Sequence, residues 1–193
     1  PPHHSSAASD VYKRQEQGFV SYHQDAKYIG LEPHNWVTAW VALTDSNENN
    51  GCMKMWPKSH LNIKDHNEKF NEGNLLTRGQ TVENVPEDEV KSIELKAGQM
   101  SLHHPRVVHG SGINKSNDRR IGFVIQSYIG TNVKQTLGKN SVQVARGEDK
   151  YNHHEIINRT NALMSEESIL LRKKENDYLQ EIFYKGAKQK GSY

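Results

Sequence analysis

The sequence predicts a mainly β core followed by one C-terminal α-helix. Between Phe19 and Tyr128, short runs rich in β-branched and aromatic residues alternate with turn-forming segments, a pattern typical of strands and their connections. This stretch contains no apolar period of helical spacing long enough to predict a helix. Such a period begins only beyond residue 130, so we expect helix in the C-terminal part alone.

The candidate strands follow one another at short intervals along the core. They are residues 19–26, 36–43, 52–56, 90–95, 100–103, 107–109 and 120–129. Polar segments rich in Gly, Asn and Ser separate them, such as DSNENNG at 45–51 and GSGINKSND at 110–118. A longer charged excursion, residues 60–89, is expected at the mouth of the fold, because long loops on a rigid scaffold usually carry specificity.

The two ends of the chain differ in character from the core. Residues 1–15 have no apolar period, no signal-peptide pattern and no initiating methionine, and SAASDVYKRQ resembles translated sequencing-adapter read-through. We therefore expect a non-native leader at 1–15, an N-terminally truncated core at 16–138 and a C-terminal extension at 139–193. Ser165 fits a helix N-cap, and the apolar spacing after it predicts a helix over about 165–185.

Composition excludes several classes of function. Lys and Arg number 25 against 23 Asp and Glu in 193 residues, so no long-range field favours nucleic acid or an anionic membrane. The single cysteine, Cys52, cannot form an intramolecular disulfide, and no apolar run approaches the length of a membrane span. We expect a cytoplasmic protein with no nucleic-acid or membrane partner, and the oligomeric state stays open.

Histidine, with 11 residues, is the most informative residue type. A carboxylate two positions after a histidine on a strand shares its face, so the two side chains could bind one metal. The spacing occurs at His23/Asp25, His66/Glu68 and His153/Glu155. The last two pairs lie in hydrophilic tracts, which predict solvated loops. Only the first lies in a strand-like run, FVSYHQDA.

A facial metal site needs a second imidazole from another strand, and three histidines are candidates. His103 and His104 are adjacent and cannot both face one metal, so we interpret them as structural, with a contact to the metal ligands as the alternative. His109 opens the segment HGSG, and Arg120 follows 11 residues later at the start of a strand. From there a guanidinium could bind the far carboxylate of a metal-bound dicarboxylic acid, whereas the neighbouring Arg119 would face outward.

Three blocks of sequence together resemble a known family. They are HQD at 23–25, VTAWVALTDSNENNGCMKMWPKSH at 37–60 and HGSGINKSNDRR at 109–120. In this order they resemble the phytanoyl-CoA dioxygenase family of iron(II)/2-oxoglutarate oxygenases, over about residues 19–129. The resemblance implies a double-stranded β-helix, a jelly-roll or cupin-like barrel. It also implies that His23, Asp25 and His109 bind Fe(II), that Arg120 binds the far carboxylate of 2-oxoglutarate, and that O2 is the second co-substrate.

Further roles come from the same resemblance. Ser111 matches a position that helps hold the carboxylate, and Gln24 and Trp40 match positions that line the co-substrate pocket. Related oxygenases that halogenate have a small residue where Asp25 stands, so the aspartate favours hydroxylation.

The resulting expectation is a non-haem iron dioxygenase that hydroxylates an unactivated C–H bond of a small organic substrate, with 2-oxoglutarate decarboxylated to succinate and CO2. An anionic substrate could meet three further side chains. Lys27 and Tyr28 lie beside the predicted metal strand, and Arg78 lies in the excursion at 60–89, which we call the mouth loop. The alternatives are a non-catalytic cupin-like barrel that binds a metal or small molecule, and a truncated, inactive oxygenase fragment.

Overall fold

Two four-stranded antiparallel sheets form the core of the fold. The computed structural model describes residues 8–13, 18–76, 78–158, 162 and 164–187. The strands of these sheets are β1 (Ala8–Lys13), β2 (Val20–His23), β4 (Trp36–Ala42), β5 (Met53–Met55), β8 (Lys91–Ile93), β9 (Met100–His103), β10 (His109–Ser111) and β11 (Arg120–Ile129). The order is β1-β11-β4-β9 in the major sheet and β2-β10-β5-β8 in the minor sheet. This is the jelly-roll topology of the double-stranded β-helix, as predicted.

Short elements connect and flank the two sheets. Helix α1 (Ala26–Ile29) follows β2, and helix α2 (Glu166–Phe183) lies near the C-terminus. The remaining strands pair in twos and are β3 (Leu31–Glu32), β6 (Asn67–Glu68), β7 (Gln80–Thr81), β12 (Lys134–Gln135), β13 (Ser141–Val142) and β14 (Glu155–Ile156). The excursion at 60–89 is thus largely irregular but contains the β6–β7 ladder and a 3-10 turn, Ser59–Leu61.

Several boundaries differ from those predicted. The strands at 100–103 and 120–129 are confirmed, but the strand predicted at 107–109 begins only at His109. The strand predicted at 19–26 is too long, because it ends at His23 and the backbone of Asp25 is already helical. Ser165 caps α2 as expected, since its side chain accepts a hydrogen bond from the Ser168 amide.

The segment predicted to be a leader contains a strand. The backbone of Ala8–Lys13 pairs antiparallel with Arg120–Ile125 at one edge of the major sheet. Residues 1–7 and 14–15 of that segment lie outside the described residues, as do 159–161, 163 and 188–193 of the C-terminal extension. The non-native origin and the domain boundaries stay predictions.

Apolar side chains fill the space between the sheets. Trp40 and Ala42 of the major sheet pack against Met53 of the minor sheet, with Met55 and Val124 beside them. A second cluster joins α1 to the end of the major sheet through Ile29, Leu31, Trp36 and Val133. On its outer face the major sheet leaves large apolar side chains exposed, namely Met100, Leu102, Phe123 and Ile125.

None of the described helices has the length and apolar character needed to cross a bilayer.

Candidate metal centre

The two sheets bring His23, Asp25 and His109 together in the interior. His23 on β2 and His109 on β10 are direct cross-strand partners, and their ring centres lie 4.3 Å apart. Directly opposed residues of an antiparallel pair project to the same face, which accounts for the meeting of residues far apart in sequence. One ligand atom from each of the three side chains lies within 4.8 Å of the other two, and all three residues are buried.

Asp25 reaches the cluster by a different route from the one predicted. The strand ends at His23, and Asp25 occupies the N-cap position of α1 with φ −56° and ψ −40°. Its carbonyl accepts bonds from the amides of Tyr28 (3.0 Å) and Ile29 (3.2 Å), which ties its backbone to the first turn. The strand alternation expected for this pair is therefore wrong, although the two side chains do meet.

Both imidazoles are oriented by main-chain carbonyls. Nδ1 of His23 lies 2.9 Å from the carbonyl oxygen of Ser21, and Nδ1 of His109 lies 3.0 Å from that of Val107. In the neutral form of such a ring the proton is on the nitrogen that faces the carbonyl oxygen, which leaves Nε2 to present a lone pair. These Nε2 atoms lie 3.4 and 3.9 Å from Oδ1 of Asp25.

The surroundings also control protonation. Burial lowers the pKa of His109 to about 3, with His23 adding to the effect, so the His109 ring is neutral at physiological pH. Burial opposes ionisation of Asp25, but in acid the protonated imidazoles, His109 foremost, outweigh it and lower the pKa of Asp25. The other carboxylate oxygen, Oδ2, accepts a hydrogen bond of 3.2 Å from Thr38.

This donor set fits a divalent transition metal. Two neutral imidazoles and one carboxylate that leave other positions open are the ligands of non-haem iron(II) oxygenases, and imidazoles held through Nδ1 are typical of metal-ligating histidines. His23, Asp25 and His109 would hold the ion.

Arg120 supplies a buried cation beside Trp40. Arg120 is 2% exposed, and its guanidinium carbon lies 5.2 Å from the centre of the Trp40 ring. Nε has no hydrogen-bond partner among the described residues, and none of the described carboxylates forms an ion pair with this side chain. Burial lowers the pKa of Arg120 to about 10, so it stays charged at neutral pH. A buried, unpaired guanidinium fits a carboxylate ligand.

The structure separates Arg120 from Arg119 as the spacing predicted, since Arg119 is exposed. Gly122, which the sequence alone did not single out, makes room for the Trp40 ring. A Cβ atom at Gly122 would lie 2.0 Å from Cζ2 of Trp40.

Ser111 and Gln24 have different surroundings from each other. Ser111 lies two residues beyond His109 on β10 and is half-buried, and its contact with a carboxylate stays a prediction.

The Gln24 side chain is hydrogen-bonded to main-chain groups. Its Oε1 accepts from the Lys64 amide at 2.7 Å, and its Nε2 donates to the carbonyls of Asn62 at 3.0 Å and Arg106. These contacts anchor the mouth loop and lend no support to a pocket role for Gln24.

The three residues considered for substrate binding are not gathered in one place. Lys27 is exposed on α1, whereas Tyr28 is buried beneath the Arg78 side chain. The guanidinium carbon of Arg78 lies 5.1 Å from the centre of the Tyr28 ring. Arg78 Nε donates to Glu68 at 2.5 Å, and its Nη1 donates to the carbonyls of Phe183 (3.0 Å) and Lys185 (3.1 Å). Arg78 thus joins the mouth loop to the end of α2, and its contacts do not favour a role in binding an anion.

Two further histidines lie close to the site. His66, predicted in a solvated loop, is half-buried, and its Nε2 accepts a 2.9 Å hydrogen bond from the Gln24 amide. Burial lowers the pKa of His66 to about 4. His103, interpreted as structural, lies against the cluster with its ring centre 4.6 Å from that of His109.

A barrel of two antiparallel sheets with an imidazole–carboxylate cluster inside defines the double-stranded β-helix class of mononuclear metal proteins. The chain belongs to the phytanoyl-CoA dioxygenase (PhyH) family, which it matches over residues 3–122.

Individual relatives agree with this assignment. The peroxisomal phytanoyl-CoA dioxygenase of Homo sapiens is 29% identical over 51% of this chain and 30% of its own length. A probable alpha-ketoglutarate-dependent hypophosphite dioxygenase of Stutzerimonas stutzeri is 30% identical over 62% of this chain and 42% of its own length. The chain therefore spans less than half the length of these curated relatives.

Solved structures show the same fold. The non-heme monooxygenase ThoJ in its apo form superposes with a TM-score of 0.78 and 27% identity, over 91% of this chain and 65% of ThoJ. Its nickel complex superposes with a TM-score of 0.67 and 26% identity, over 89% of this chain and 65% of ThoJ.

Proposed function

We propose that this chain forms the core of an Fe(II)/2-oxoglutarate-dependent dioxygenase that hydroxylates a C–H bond of a small organic substrate. The observation that carries the proposal is the pairing of two features in one barrel. The His23, Asp25 and His109 donors lie beside a buried guanidinium, Arg120, that has no carboxylate partner among the described residues. A metal-bound dicarboxylic acid would satisfy both.

The comparisons support this proposal. A relative with 30% identity is named as alpha-ketoglutarate-dependent, and ThoJ is a non-heme monooxygenase with a nickel complex. When bound, iron and 2-oxoglutarate supply the oxidising power: 2-oxoglutarate, O2 and substrate give succinate, CO2 and the hydroxylated product. The protein positions these groups and shields them from water.

Each residue of the site has a distinct task in this proposal. His23 and His109 would hold the ion through their Nε2 atoms, and Asp25 would occupy a further coordination position with an anionic oxygen. That occupied position favours hydroxylation over halogenation. Arg120 anchors the far carboxylate of 2-oxoglutarate, and Trp40 forms the wall beside it and excludes water.

The proposed class of substrate depends on cations outside the metal centre. Lys27 and Arg78 are the cations considered for an anionic substrate, but Arg78 is paired with Glu68. Lys27 is exposed on α1 and has no ion pair among the described residues, so it is the remaining cation for an anionic substrate. We also propose a cytoplasmic location, because a chain with one cysteine, Cys52, has no intramolecular disulfide that would need an oxidising compartment.

The test is an anaerobic titration of the protein with Fe(II) and then 2-oxoglutarate, monitored by the visible charge-transfer band of the chelated complex. We expect the band in the native protein, its loss in Asp25→Ala, and an unchanged band in His153→Ala, a control at an exposed histidine. Succinate release in air then reports turnover. Metal binding without the band or succinate would favour the non-catalytic barrel, and absence of metal binding in folded protein would refute the proposal.

A further inference from the structure

We propose that His103 is a positioning residue of the metal centre: together with Thr38, it holds the outer carboxylate oxygen of Asp25, so that the inner oxygen stays directed at the metal. This inference rests on the metal centre of the proposed function and assigns a role to a residue outside the three ligands.

His103 is a buried imidazole without hydrogen bonds. It is 6% exposed, and neither of its ring nitrogens has a hydrogen-bond partner among the described residues. The rings of His23 and His109, by contrast, each bond to a carbonyl through Nδ1. Buried polar side-chain atoms nearly always have a partner. A polar ring that lacks one beside a metal site therefore indicates a partner that is completed when the centre is assembled.

The candidate partner is the outer oxygen of Asp25. The two oxygens of this carboxylate face different groups: Oδ1 faces Nε2 of His23 and His109, whereas Oδ2 accepts the 3.2 Å bond from Thr38. His103 Nε2 lies 3.9 Å from the same Oδ2. That separation exceeds an ordinary N–H···O bond by about 1 Å, so a small rotation of either side chain would close it.

The register of the major sheet places both donors on one face. Thr38 on β4 and His103 on β9 are directly paired across the ladder, so both point inward. The neighbours of His103 face the other way: Leu102 is 63% exposed, and His104 lies beside the His60 ring at 5.7 Å. Alternation along β9 thus makes His103 the residue of this strand that reaches Asp25.

The geometry favours a hydrogen bond over coordination of the metal by His103. The ligand atoms that converge within 4.8 Å belong to His23, Asp25 and His109. His103 instead approaches the carboxylate from the Oδ2 side, away from the oxygen that faces the two imidazoles. Groups that hold a ligating carboxylate or imidazole in this way typically change metal affinity by about 10- to 100-fold when removed.

The experiment measures the Kd for Ni(II) alone, without turnover, in the full chain. The variants are His103→Leu, Thr38→Val, their combination, His103→Gln, and the matched control His104→Leu. We expect His103→Leu to weaken Ni(II) binding by about 10- to 100-fold and His103→Gln to recover part of the loss, because the amide keeps an N–H donor. The fold-loss of Ni(II) affinity in the double variant should be smaller than the product of the two single fold-losses, since both donors act on one oxygen.

A second readout separates positioning from general structural damage. The visible spectrum of the Co(II)-loaded protein should shift in His103→Leu and stay unchanged in His104→Leu. The melting temperatures of the two variants are compared to show that the shift does not come from unfolding. An unchanged Kd and Co(II) spectrum in both His103 variants would overturn the inference. Loss of one imidazole from the Cu(II) electron paramagnetic resonance spectrum of His103→Leu would also overturn it, because His103 would then be a ligand.

The same measurements distinguish the two proposals. Native protein that binds Ni(II) but gives no 2-oxoglutarate complex refutes the proposed dioxygenase and leaves the His103 result standing. Native protein that does not bind Ni(II) refutes both.

Discussion

Replacement of Arg120 by methionine should change cofactor affinity and stability in opposite directions. Arg120 is 2% exposed, and none of the described carboxylates pairs with it. Methionine keeps an apolar stem against the Trp40 ring and removes the charge. The variant therefore separates the packing of this side chain from its electrostatic role.

The magnitudes follow from the surroundings of the guanidinium. Burial lowers the pKa of Arg120 from its usual value to about 10. At about 1.4 kcal/mol for each pKa unit, the charge opposes folding by about 3 kcal/mol. We thus expect the free energy of unfolding of Arg120→Met to rise, by at most that amount. A hydrogen bond to a charged group contributes about 1.5 to 3 kcal/mol, so the Kd for 2-oxoglutarate should weaken by about 10- to 150-fold.

The assay is calorimetric titration of the Ni(II)-loaded protein with 2-oxoglutarate, combined with urea unfolding of the metal-free protein. Ni(II) affinity should not change, because Arg120 is outside the ligand cluster. The control is Arg119→Met, which removes an exposed arginine one residue away. An unchanged Kd for 2-oxoglutarate in Arg120→Met would refute the role of this residue, and a loss of stability would refute the view that its charge is unsatisfied.

Three further predictions concern the supports of the site. Gly122→Ala should destabilise the fold by about 1 to 3 kcal/mol in urea unfolding, because its Cβ would lie 2.0 Å from Trp40; Gly112→Ala, where a Cβ meets no atom within 4 Å, is the control, and equal effects would contradict the clash. Because the pKa of His66 is lowered to about 4 in the folded chain, protonation of this ring favours the unfolded chain. Native stability should therefore fall as pH drops from about 6.5 towards 4, and His66→Gln should reduce that slope; an identical slope would contradict it. Arg78→Met should expose the end of α2 to limited proteolysis without a change in Ni(II) affinity, and unchanged cleavage would show that its two hydrogen bonds to the carbonyls there do not hold the helix.

The β core could be predicted because the strands are strongly patterned, whereas the jelly-roll arrangement was implied by the family resemblance. The run at 120–129 begins and ends as predicted, since its β-branched residues are bounded by a polar loop and by Gly130. The strand predicted to reach residue 26 was too long, because periodicity alone does not show where a chain turns into a helix. Asp25 is a residue type that often begins a helix, but the helix after it has only four residues, too few to show a helical apolar period.

The candidate site was only partly accessible from sequence. His23, Asp25, His109 and Arg120 could be proposed because their spacing has a chemical rationale and the three sequence blocks resemble a family. Contacts set by register were not accessible. The inward orientation of His103 depends on its pairing with Thr38, a partner 65 residues away whose register no local pattern reveals.

The engagement of Gln24, Arg78 and His66 could not be predicted for a related reason. Gln24 and His66 bond to each other's segments, the turn after β2 and the mouth loop, and Arg78 bonds to the end of α2. A polar residue in a loop looks solvated in the sequence, and only the folded path of the chain shows that its partners are main-chain atoms.

The main-chain anchoring of the two imidazoles has a consequence for how this site can evolve. The carbonyls of Ser21 and Val107 that orient His23 and His109 are present whatever side chain those positions carry. Substitutions at Ser21 or Val107 therefore leave these contacts to the two imidazoles in place. The carboxylate arm depends on the hydroxyl of Thr38, which a single codon change can remove. The centre is thus more sensitive to mutation on its carboxylate side than on its imidazole side. We expect metal preference among descendants of this chain to diverge first through changes there.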